Sequence, residues 1–300
     1  MSQVPPPLYF DARAELAYRF LAGEGLEIGA LHRPLAVPSQ ARVRYVDRMP
    51  VEDLRAAYEE VGQDIVPVDV VDDGETLATV EDGSQSFIVA NHFLEHTEDP
   101  IGTIANHLAR LKPGGVLFYA VPDQRYTFDF RREVTTLDHM VRDHEEGPQV
   151  SRREHYDEWS LLVDGTEEER AQPNWPQQAE KSARRLEDQD YSIHFHVWTK
   201  AAFLGLLLHC QERFEETFEV EVAAGNGEET IVVLRKAGAS PEPATDTPNA
   251  ATLSAEVASL KGDVARLEVS ARELERVKLS SSWRVTEPLR AAKARLAHRR

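Results

Sequence analysis

Glycine and carboxylate residues end the first two short apolar segments of the sequence. Glu27 and Gly29 close the run 25–30, and Asp47 closes the run 42–47 about twenty residues later. A glycine at a strand end lets a ligand approach the backbone, because no side chain stands in the way. A carboxylate at the next strand end can accept hydrogen bonds from both ribose hydroxyls. This spacing predicts a site for a ligand that carries a nucleoside.

The apolar segments recur at the spacing of alternating strands and helices, which is typical of parallel βαβ units. Strands are predicted at 26–29, 43–47, 65–68, 87–91 and 116–121, and helices at 9–22, 51–61, 101–111 and 200–211. Two more strands, 218–223 and 230–234, flank Gly225-Asn226-Gly227, a strong hairpin signal. The expected fold class is α/β, a doubly wound, mostly parallel seven-stranded sheet with a terminal antiparallel hairpin.

Residues 1–236 are predicted to form this domain, interrupted by an insertion at 124–198. The insertion is polar and rich in Arg, His and Trp. We expect it to cover the open end of the sheet.

The order of these motifs resembles class I S-adenosylmethionine-dependent methyltransferases, in particular the branch similar to methyltransferase type 11. The resemblance rests on Glu27-Ile28-Gly29, Asp47, Leu94-Glu95-His96 and Lys112-Pro113-Gly114-Gly115. It implies a methyltransferase with S-adenosyl-L-methionine as cofactor. A nicotinamide Rossmann domain is the main competitor, but no Gly-x-Gly-x-x-Gly follows the first strand. Leu31 and Arg33 replace the later glycines that related chains carry, so the helix after the first strand must be short or displaced.

The resemblance also assigns cofactor contacts. It places Glu27 near the methionine end through the loop, Asp73 at the adenine amino group, and Asn91 with His92 beside the methionine portion. The predicted cofactor-binding residues are Glu27, Gly29, Ala30, Asp47, Asp73, Asn91 and His92.

Three histidines, His96, His139 and His194, are the candidate catalytic residues. Methyl transfer is an in-line displacement that depends mainly on positioning, and a hydroxyl acceptor gains further from a general base. Histidine is suited to that role near neutral pH. His96 has the alternative of a structural hydrogen bond in its turn. His194 and His196 have the alternative of fastening the insertion to the core.

His139, Asp143 and His144 could together hold a divalent metal ion, because residues 139 and 143 share one helical face. A solvated or capping role is the preferred interpretation in so polar a segment. No metal site is assigned from the sequence.

The segment after the fifth strand supplies the candidates for acceptor binding. Arginines there could grip a phosphate or uronate group, or could equally pair with Asp129 and Glu133 to order the loop. The predicted substrate-binding residues are Asp123, Arg125, Tyr126 and Arg131.

The C-terminal part is predicted to be a separate unit. A Pro/Ala/Ser/Thr-rich linker covers 237–250, apolar residues at heptad spacing predict a short coiled-coil helix at 251–279, and a basic tail covers 280–300. Residues 281–290 resemble tails of bacterial glycosyltransferases and methyltransferases of surface-polysaccharide assembly. We expect homo-oligomers through the coil, and a membrane surface or a glycosyltransferase as partner of the tail.

Composition narrows the functional classes. The formal charge of −18 argues against nucleic acid as a partner, since binding of the phosphate backbone requires clustered Lys and Arg. One cysteine, Cys210, cannot form an internal disulfide, and no signal peptide is evident, so a cytoplasmic location is expected.

The leading hypothesis is an O-methyltransferase acting on a sugar or glycan-linked acceptor in polysaccharide biosynthesis. One alternative is a methyltransferase of small metabolites or lipids. Another is a non-catalytic scaffold with this fold in a glycan-assembly complex.

Overall fold

The computed structural model of the protein describes residues 12–59, 61–214 and 217–238. The predicted coiled coil at 251–279, the basic tail at 280–300 and the linker beyond residue 238 lie outside the described residues. Within the described residues, no helix combines the length and the apolar character needed to cross a bilayer.

A seven-stranded sheet forms the centre of the described part of the chain. Its strands are β1 (Gly23–Ile28), β2 (Ala41–Asp47), β3 (Val70–Val71), β4 (Gln85–Asn91), β5 (Leu111–Pro122), β6 (Phe218–Asn226) and β7 (Glu229–Lys236). They are ordered β3-β2-β1-β4-β5-β7-β6. All pairs are parallel except β5 with β7 and β6 with β7. The predicted seven-stranded sheet with a terminal antiparallel hairpin is confirmed.

Two details of the predicted strands are wrong. The third strand forms at Val70–Val71 instead of 65–68. Pro67 explains the difference, because proline has no N–H to donate to a strand ladder. At the hairpin, β6 extends through Asn226, and the chain turns at Gly227, whose φ is +63°. The turn therefore lies one to two residues later than predicted.

Helices pack on both faces of the sheet. The helices are α1 (Ala12–Phe20), α2 (Val51–Ala57), α3 (Pro100–Arg110), α4 (Leu137–Glu146), α5 (Arg152–Leu162), α6 (Glu167–Arg170), α7 (Trp175–Asp188) and α8 (Lys200–Arg213). Side chains of α3 and α8 join the larger apolar core, whereas α1 packs in a second core with alternate residues of β4 and β5. Cys210 is buried in the larger core.

The start and end of α3 follow from its sequence. Asp99 caps the helix by accepting a hydrogen bond from the Gly102 amide at 2.8 Å, and Pro100 occupies the first turn. The helix ends at Arg110, directly before the Leu-Lys-Pro-Gly-Gly motif, where a helix end was predicted.

The insertion at 124–198 is mainly helical and returns to the sheet at its end. It contains α4 to α7 and a small apolar core of its own around Tyr156, Ala183 and Phe195. A parallel bridge joins Trp198 to Asp123, just beyond β5. The segment 193–198 thus fastens the insertion beside the carboxyl end of the sheet.

Candidate active site

The sheet brings three predicted cofactor residues to one edge. Ile28 of β1 lies opposite Val46 of β2 and Ala90 of β4. The residues that follow are therefore neighbours at the carboxyl ends of these strands: Gly29, Asp47 and Asn91. The strand order reverses between β1 and β4, which is where doubly wound sheets bind ligands.

Gly29 leaves open space above the backbone at this edge. Its φ is +64°, a conformation that favours glycine, and a Cβ built there would meet only Phe93, at 4.0 Å. Gly74 is different, because a Cβ there would come within 2.6–2.8 Å of Phe93 and Ile28. Gly29 therefore provides a backbone approach, whereas Gly74 allows the loop after β3 to pack closely.

Glu27 supports the loop after β1. Its buried carboxyl oxygens accept hydrogen bonds from the Leu35 amide at 2.9 and 3.1 Å, and burial raises its pKa to about 7. The chain between Gly29 and Leu35, including Ala30, forms turns and extended backbone instead of a helix. No helix forms between β1 and β2, so the prediction of a short or displaced helix there is wrong. Glu27 thus positions the loop, and its place near the methionine end of the cofactor stays a prediction.

Asp47 and Asp73 end adjacent segments at the same edge. The Asp47 carboxylate accepts a hydrogen bond from the Arg48 amide at 2.8 Å, and burial raises its pKa. The Asp72 amide donates to the Asp47 carbonyl at 3.0 Å, which places Asp73 next to the end of β2. Asp73 itself accepts from the Glu75 amide at 2.9 Å. Each carboxylate still has lone pairs for a ligand, because it can accept about four hydrogen bonds.

A buried histidine fastens the loop that carries Asp73. His107 Nε2 lies 2.7 Å from the Gly74 carbonyl, and its Nδ1 lies 2.8 Å from the Tyr119 hydroxyl. Burial lowers the pKa of His107 to about 4, so the ring is neutral. We infer that Nε2–H donates to Gly74 while Nδ1 accepts from Tyr119. The loop is thereby tied to α3 and β5.

Asn91 fits a polar ligand best. Both atoms of its side-chain amide are buried and have no hydrogen-bond partner among the described residues. Such orphaned groups are rare in folded proteins, so a bound molecule with both donor and acceptor groups accounts for them. The amino and carboxylate groups of the methionine portion of S-adenosylmethionine have this character.

His92, the next residue, has two carboxylate partners of its own. Its φ is +50°, and its Nε2 lies 2.8 Å from Glu229 Oε2. Its Nδ1 lies 3.6 Å from Glu95 Oε1. His92 therefore links β7 to the turn that follows β4.

A pocket of about 400 Å³ opens where the insertion meets the strand ends. It contains the predicted residues His96, His194 and Tyr126, and Glu95, which the sequence interpretation did not single out. The lining residues are His92, Glu95, His96, Pro122, Tyr126, Thr127, Phe128, His194 and Glu228.

His194 and Asp129 form the most ordered polar pair of this pocket. Nδ1 of His194 lies 2.6 Å from Asp129 Oδ2, and Arg132 donates to the other oxygen at 3.1 Å. The His194 ring meets the ring of His96 edge to face and lies tilted against that of Phe128, with centroids 4.7 and 4.8 Å apart. Nδ1 is thus engaged, and Nε2 is the ring nitrogen left for chemistry.

His96 is neutral in this setting. Burial lowers its pKa to about 4, and Nδ1 lies 2.9 Å from the Ile193 carbonyl oxygen. Because only a protonated nitrogen can donate to that oxygen, Nε2 carries the lone pair. The structural role and the catalytic role that were both considered for His96 are compatible in this geometry.

Glu95 is the residue that sequence reasoning missed. It is fully buried, and neither carboxyl oxygen has a hydrogen-bond partner in the described part of the chain. Burial raises its pKa, despite the nearby His194 and His92. Its place in the Leu-Glu-His turn after β4, beside a candidate base, was the available signal.

The other predicted acceptor residues have protein partners. Asp123 is buried and accepts two hydrogen bonds from the Arg125 side chain, at 2.9 and 2.7 Å. Arg125 lies over the ring of Tyr126, with 5.1 Å from Cζ to the centroid. Arg131 pairs with Glu167 at 2.7 Å and does not line the pocket. Both arginines order their surroundings, with partners other than Asp129 and Glu133.

His139 lies in a different cluster. It contacts Asp143 and His155, whereas His144 pairs with Asp99 at 2.9 Å. The solvated role expected for Asp143 is wrong, because this residue is fully buried. His139 is therefore separated from the pocket that holds His96 and His194.

Comparison with known proteins identifies the family of this chain. A family model described as a methyltransferase domain matches residues 5–207. A comparison with curated proteins finds no match.

Solved structures match at low identity. A carbon methyltransferase, CurJ, is 14% identical, with a TM-score of 0.35, and the match covers 73% of this chain and 49% of CurJ. This chain thus spans about half of that structure. A SAM-dependent methyltransferase from Aquifex aeolicus is 11% identical, with a TM-score of 0.38, covering 75% of this chain and 87% of the other. One from Methanosarcina mazei is 15% identical, with a TM-score of 0.38, covering 72% and 92%. Such values do not indicate what this chain acts on.

Proposed function

Because the chain belongs to the methyltransferase domain family, and S-adenosylmethionine is its cofactor, we propose that it O-methylates a sugar or glycan-linked acceptor. The observation that carries this proposal is the buried Asp129–His194 pair, which faces a pocket beside the cofactor edge of the sheet.

The cofactor edge fits the parts of S-adenosylmethionine in order. Asp73 would bind the adenine and Asp47 the ribose. Gly29 would let the part of the cofactor beyond the ribose approach the backbone. The Asn91 amide would form hydrogen bonds with the amino and carboxylate groups of the methionine portion. Bound there, the cofactor supplies a methyl group on an electrophilic sulfonium. The protein's task is then to place the acceptor in line and to remove its proton.

His194 is the proposed general base. Asp129 accepts the Nδ1 proton, so Nε2 has its lone pair available to take the proton of an acceptor hydroxyl. A carboxylate that orients a histidine in this way also stabilises the imidazolium that forms. The edge contact with His96 restricts the ring further. His96 Nε2 is the second proton acceptor of the pocket.

The remaining pocket walls favour a sugar ring. Tyr126 and Phe128 are large aromatic side chains that are each 56% exposed, which offers flat apolar faces beside polar groups. Glu95 adds two carboxyl oxygens that are free to bind hydroxyls. A polyhydroxylated ring uses both kinds of contact. The polysaccharide context is part of the proposal and rests on the sequence of residues 281–290 alone.

Methyl incorporation tests the proposal directly. The full-length protein is incubated with labelled S-adenosylmethionine and with nucleotide sugars, lipid-linked glycans, small phenols and phospholipids in parallel. We expect label in a sugar-containing product. Mild alkali should leave the label in place if the link is an ether, whereas it would release the label from a methyl ester. Label only in small metabolites or lipids would favour the alternative acceptor classes. Cofactor binding without transfer to any acceptor would favour the scaffold.

The remaining parts of the proposal concern surroundings. Residues 251–279 would join copies of the chain, and the basic tail at 280–300 would dock on an anionic membrane surface or a glycosyltransferase. A cytoplasmic location is consistent with a buried, unpaired Cys210.

A further inference from the structure

Three histidines and one aspartate converge inside the insertion, away from the acceptor pocket. His139 and Asp143 come from α4, His155 comes from α5, and His196 comes from the segment that returns to the sheet. We call these four residues the histidine cluster. One ligand-capable atom of each lies within 4.8 Å of the corresponding atoms of the other three.

The distances match the edges of a four-coordinate metal site. His139 Nε2 lies 3.1 Å from Asp143 Oδ2 and 3.1 Å from His155 Nε2. His155 Nε2 lies 3.5 Å and His196 Nε2 lies 4.0 Å from the same aspartate oxygen. Around a tetrahedral zinc ion with bonds of about 2.0–2.1 Å, neighbouring ligand atoms lie about 3.3 Å apart. His196 is the most distant member, and its Nε2 also lies 3.3 Å from the Glu98 carbonyl oxygen, a contact that metal binding would replace.

A cation satisfies this arrangement more fully than hydrogen bonds do. An imidazole nitrogen has a single in-plane lobe, which holds either a proton or a lone pair. Nε2 of His139 faces two atoms at equal distance, Asp143 Oδ2 and His155 Nε2. A proton on Nε2 can only be shared between them in a bifurcated hydrogen bond, whereas one cation between the three atoms would bind all of them.

Burial and charge favour a cation at the centre. Asp143 and His196 are fully buried, and His155 is nearly so. A buried carboxylate is costly to desolvate unless a positive charge compensates it.

Neighbouring groups hold the aspartate in position. The Ser151 hydroxyl donates to Asp143 Oδ1 at 2.5 Å, which leaves Oδ2 directed at the histidines. Supporting contacts of this kind accompany metal ligands. The positive Arg142 stands on the outer side, with Nε 3.9 Å from Oδ1, and pairs with Glu154 at 3.1 Å. His196 Nδ1 is buried and has no partner among the described residues.

An ion has a route to the cluster. His139 and His155 line a cavity of about 310 Å³ between α4 and α5, with Glu133, Glu154 and Glu158 on its walls. The side chain of His139 is 25% exposed there, whereas Asp143 is fully buried. His139 would therefore be the outermost ligand.

We propose that His139, Asp143, His155 and His196 bind one first-row divalent transition metal ion, zinc foremost, which ties α4, α5 and segment 193–198 together. Imidazole-rich sets select zinc over magnesium, which prefers six oxygen ligands. All four positions are protein ligands, so the ion is structural rather than reactive. It steadies the segment that also carries His194.

The test measures metal in the full-length protein. After zinc-supplemented expression, elemental analysis should find about one zinc ion per chain in the wild type. Asp143→Asn and His155→Gln should lose most of it, while His144→Gln, a matched control on α4 that pairs with Asp99, should retain it. Cobalt substituted into the wild type should give the strong visible absorption of four-coordinate cobalt. Chelator should lower the melting temperature of the wild type and leave that of Asp143→Asn unchanged.

His139→Gln keeps the test decisive if the buried variants fail to fold. This outermost ligand can be changed with little repacking, and its variant should fold and bind zinc more weakly by calorimetry. A folded wild type that holds no transition metal and takes up neither zinc nor cobalt would overturn the proposal. Equal zinc content in wild type, His139→Gln and folded Asp143→Asn would also overturn it. None of these readouts depends on methyl transfer.

Discussion

His194 Nδ1 lies 2.6 Å from Oδ2 of the buried Asp129, although 65 residues separate them in the chain. Asp129 follows β5 in the short helical turn Phe128–Arg131, and His194 comes from the segment that returns from the insertion. Arg132 connects the two parts further, because its guanidinium donates to Asp129 and to the His194 carbonyl, at 3.1 and 2.7 Å. Two of these contacts meet at the Asp129 carboxylate, and the third holds the backbone of the proposed base directly.

Replacing the proposed base should affect turnover more than binding. We expect His194→Asn to lower kcat by about 10²–10⁴-fold, the usual contribution of general-base catalysis, with unchanged affinity for S-adenosylmethionine. Asp129→Asn should also lower kcat. Labelled methyl transfer and calorimetry give the two quantities, and His209→Gln on α8 serves as the control. If kcat stays within twofold in both variants, His194 is not the base.

Removing the carboxylate at the end of β2 should weaken cofactor binding. Asp47→Ala loses the proposed hydrogen bonds to both ribose hydroxyls, each of which contributes about 1.5–3 kcal/mol when the acceptor is charged. We expect Kd for S-adenosylmethionine to rise by at least about tenfold. Asp53→Asn, an exposed acid in the first turn of α2, should bind like the wild type. Calorimetry in which both variants bind equally well would remove Asp47 from the site.

Glu95→Gln should make the protein more stable and less active. Burial raises the pKa of Glu95 above its unfolded value, so its ionised form opposes folding. This penalty is absent below the unfolded pKa and grows as pH rises above it. The variant should therefore gain ~1–3 kcal/mol at neutral or alkaline pH and almost nothing at pH 4.

The same variant should raise KM for the acceptor, because an amide replaces one free carboxyl oxygen. Urea unfolding at several pH values and acceptor titrations provide the two readouts. A stability difference that does not change with pH would contradict the first expectation. An unchanged KM would contradict the second.

Glu229 should show the opposite dependence on pH. Burial by itself raises the pKa of Glu229. Hydrogen bonds from His92, Arg13 and Asn226 outweigh burial and lower this pKa to about 2. The contribution of Glu229 to the free energy of unfolding is fully present above the unfolded pKa of 4.5 and is lost as pH falls toward 2. Glu229→Gln should be less stable by roughly 2 kcal/mol at pH 7, and the gap should close in acid. Glu219→Gln on β6 is the control, and parallel unfolding curves at pH 7 and pH 3 decide the matter.

Deleting residues 251–300 should separate assembly from cofactor binding. If the heptad seam associates, the truncated protein should have a lower mass by light scattering. Its affinity for S-adenosylmethionine should be intact, because the predicted contacts all lie before residue 237. An unchanged mass would show that the coil does not set the oligomer.

Much of the sheet could be predicted because its signals are local. The strand ends at Gly29, Asp47 and Asn91 carry the glycine, acid and amide that the ligand edge requires, and parallel βαβ units bring such ends together. The third strand was misplaced because Val66 and Val68 resemble a strand while Pro67 interrupts the ladder. The register between the strands confirmed that Gly29, Asp47 and Asn91 are neighbours, whereas their contacts with the ligand stay a prediction.

The sequence by itself determined the fold class, the hairpin and the edge at which a nucleoside ligand would lie. Only the tertiary structure decided which histidines act together: His194 joined Asp129, while His139 and His196 joined Asp143 and His155. Strand and helix periodicity reports the environment of a residue along its own element. It carries no information on which distant segments a folded insertion brings into contact.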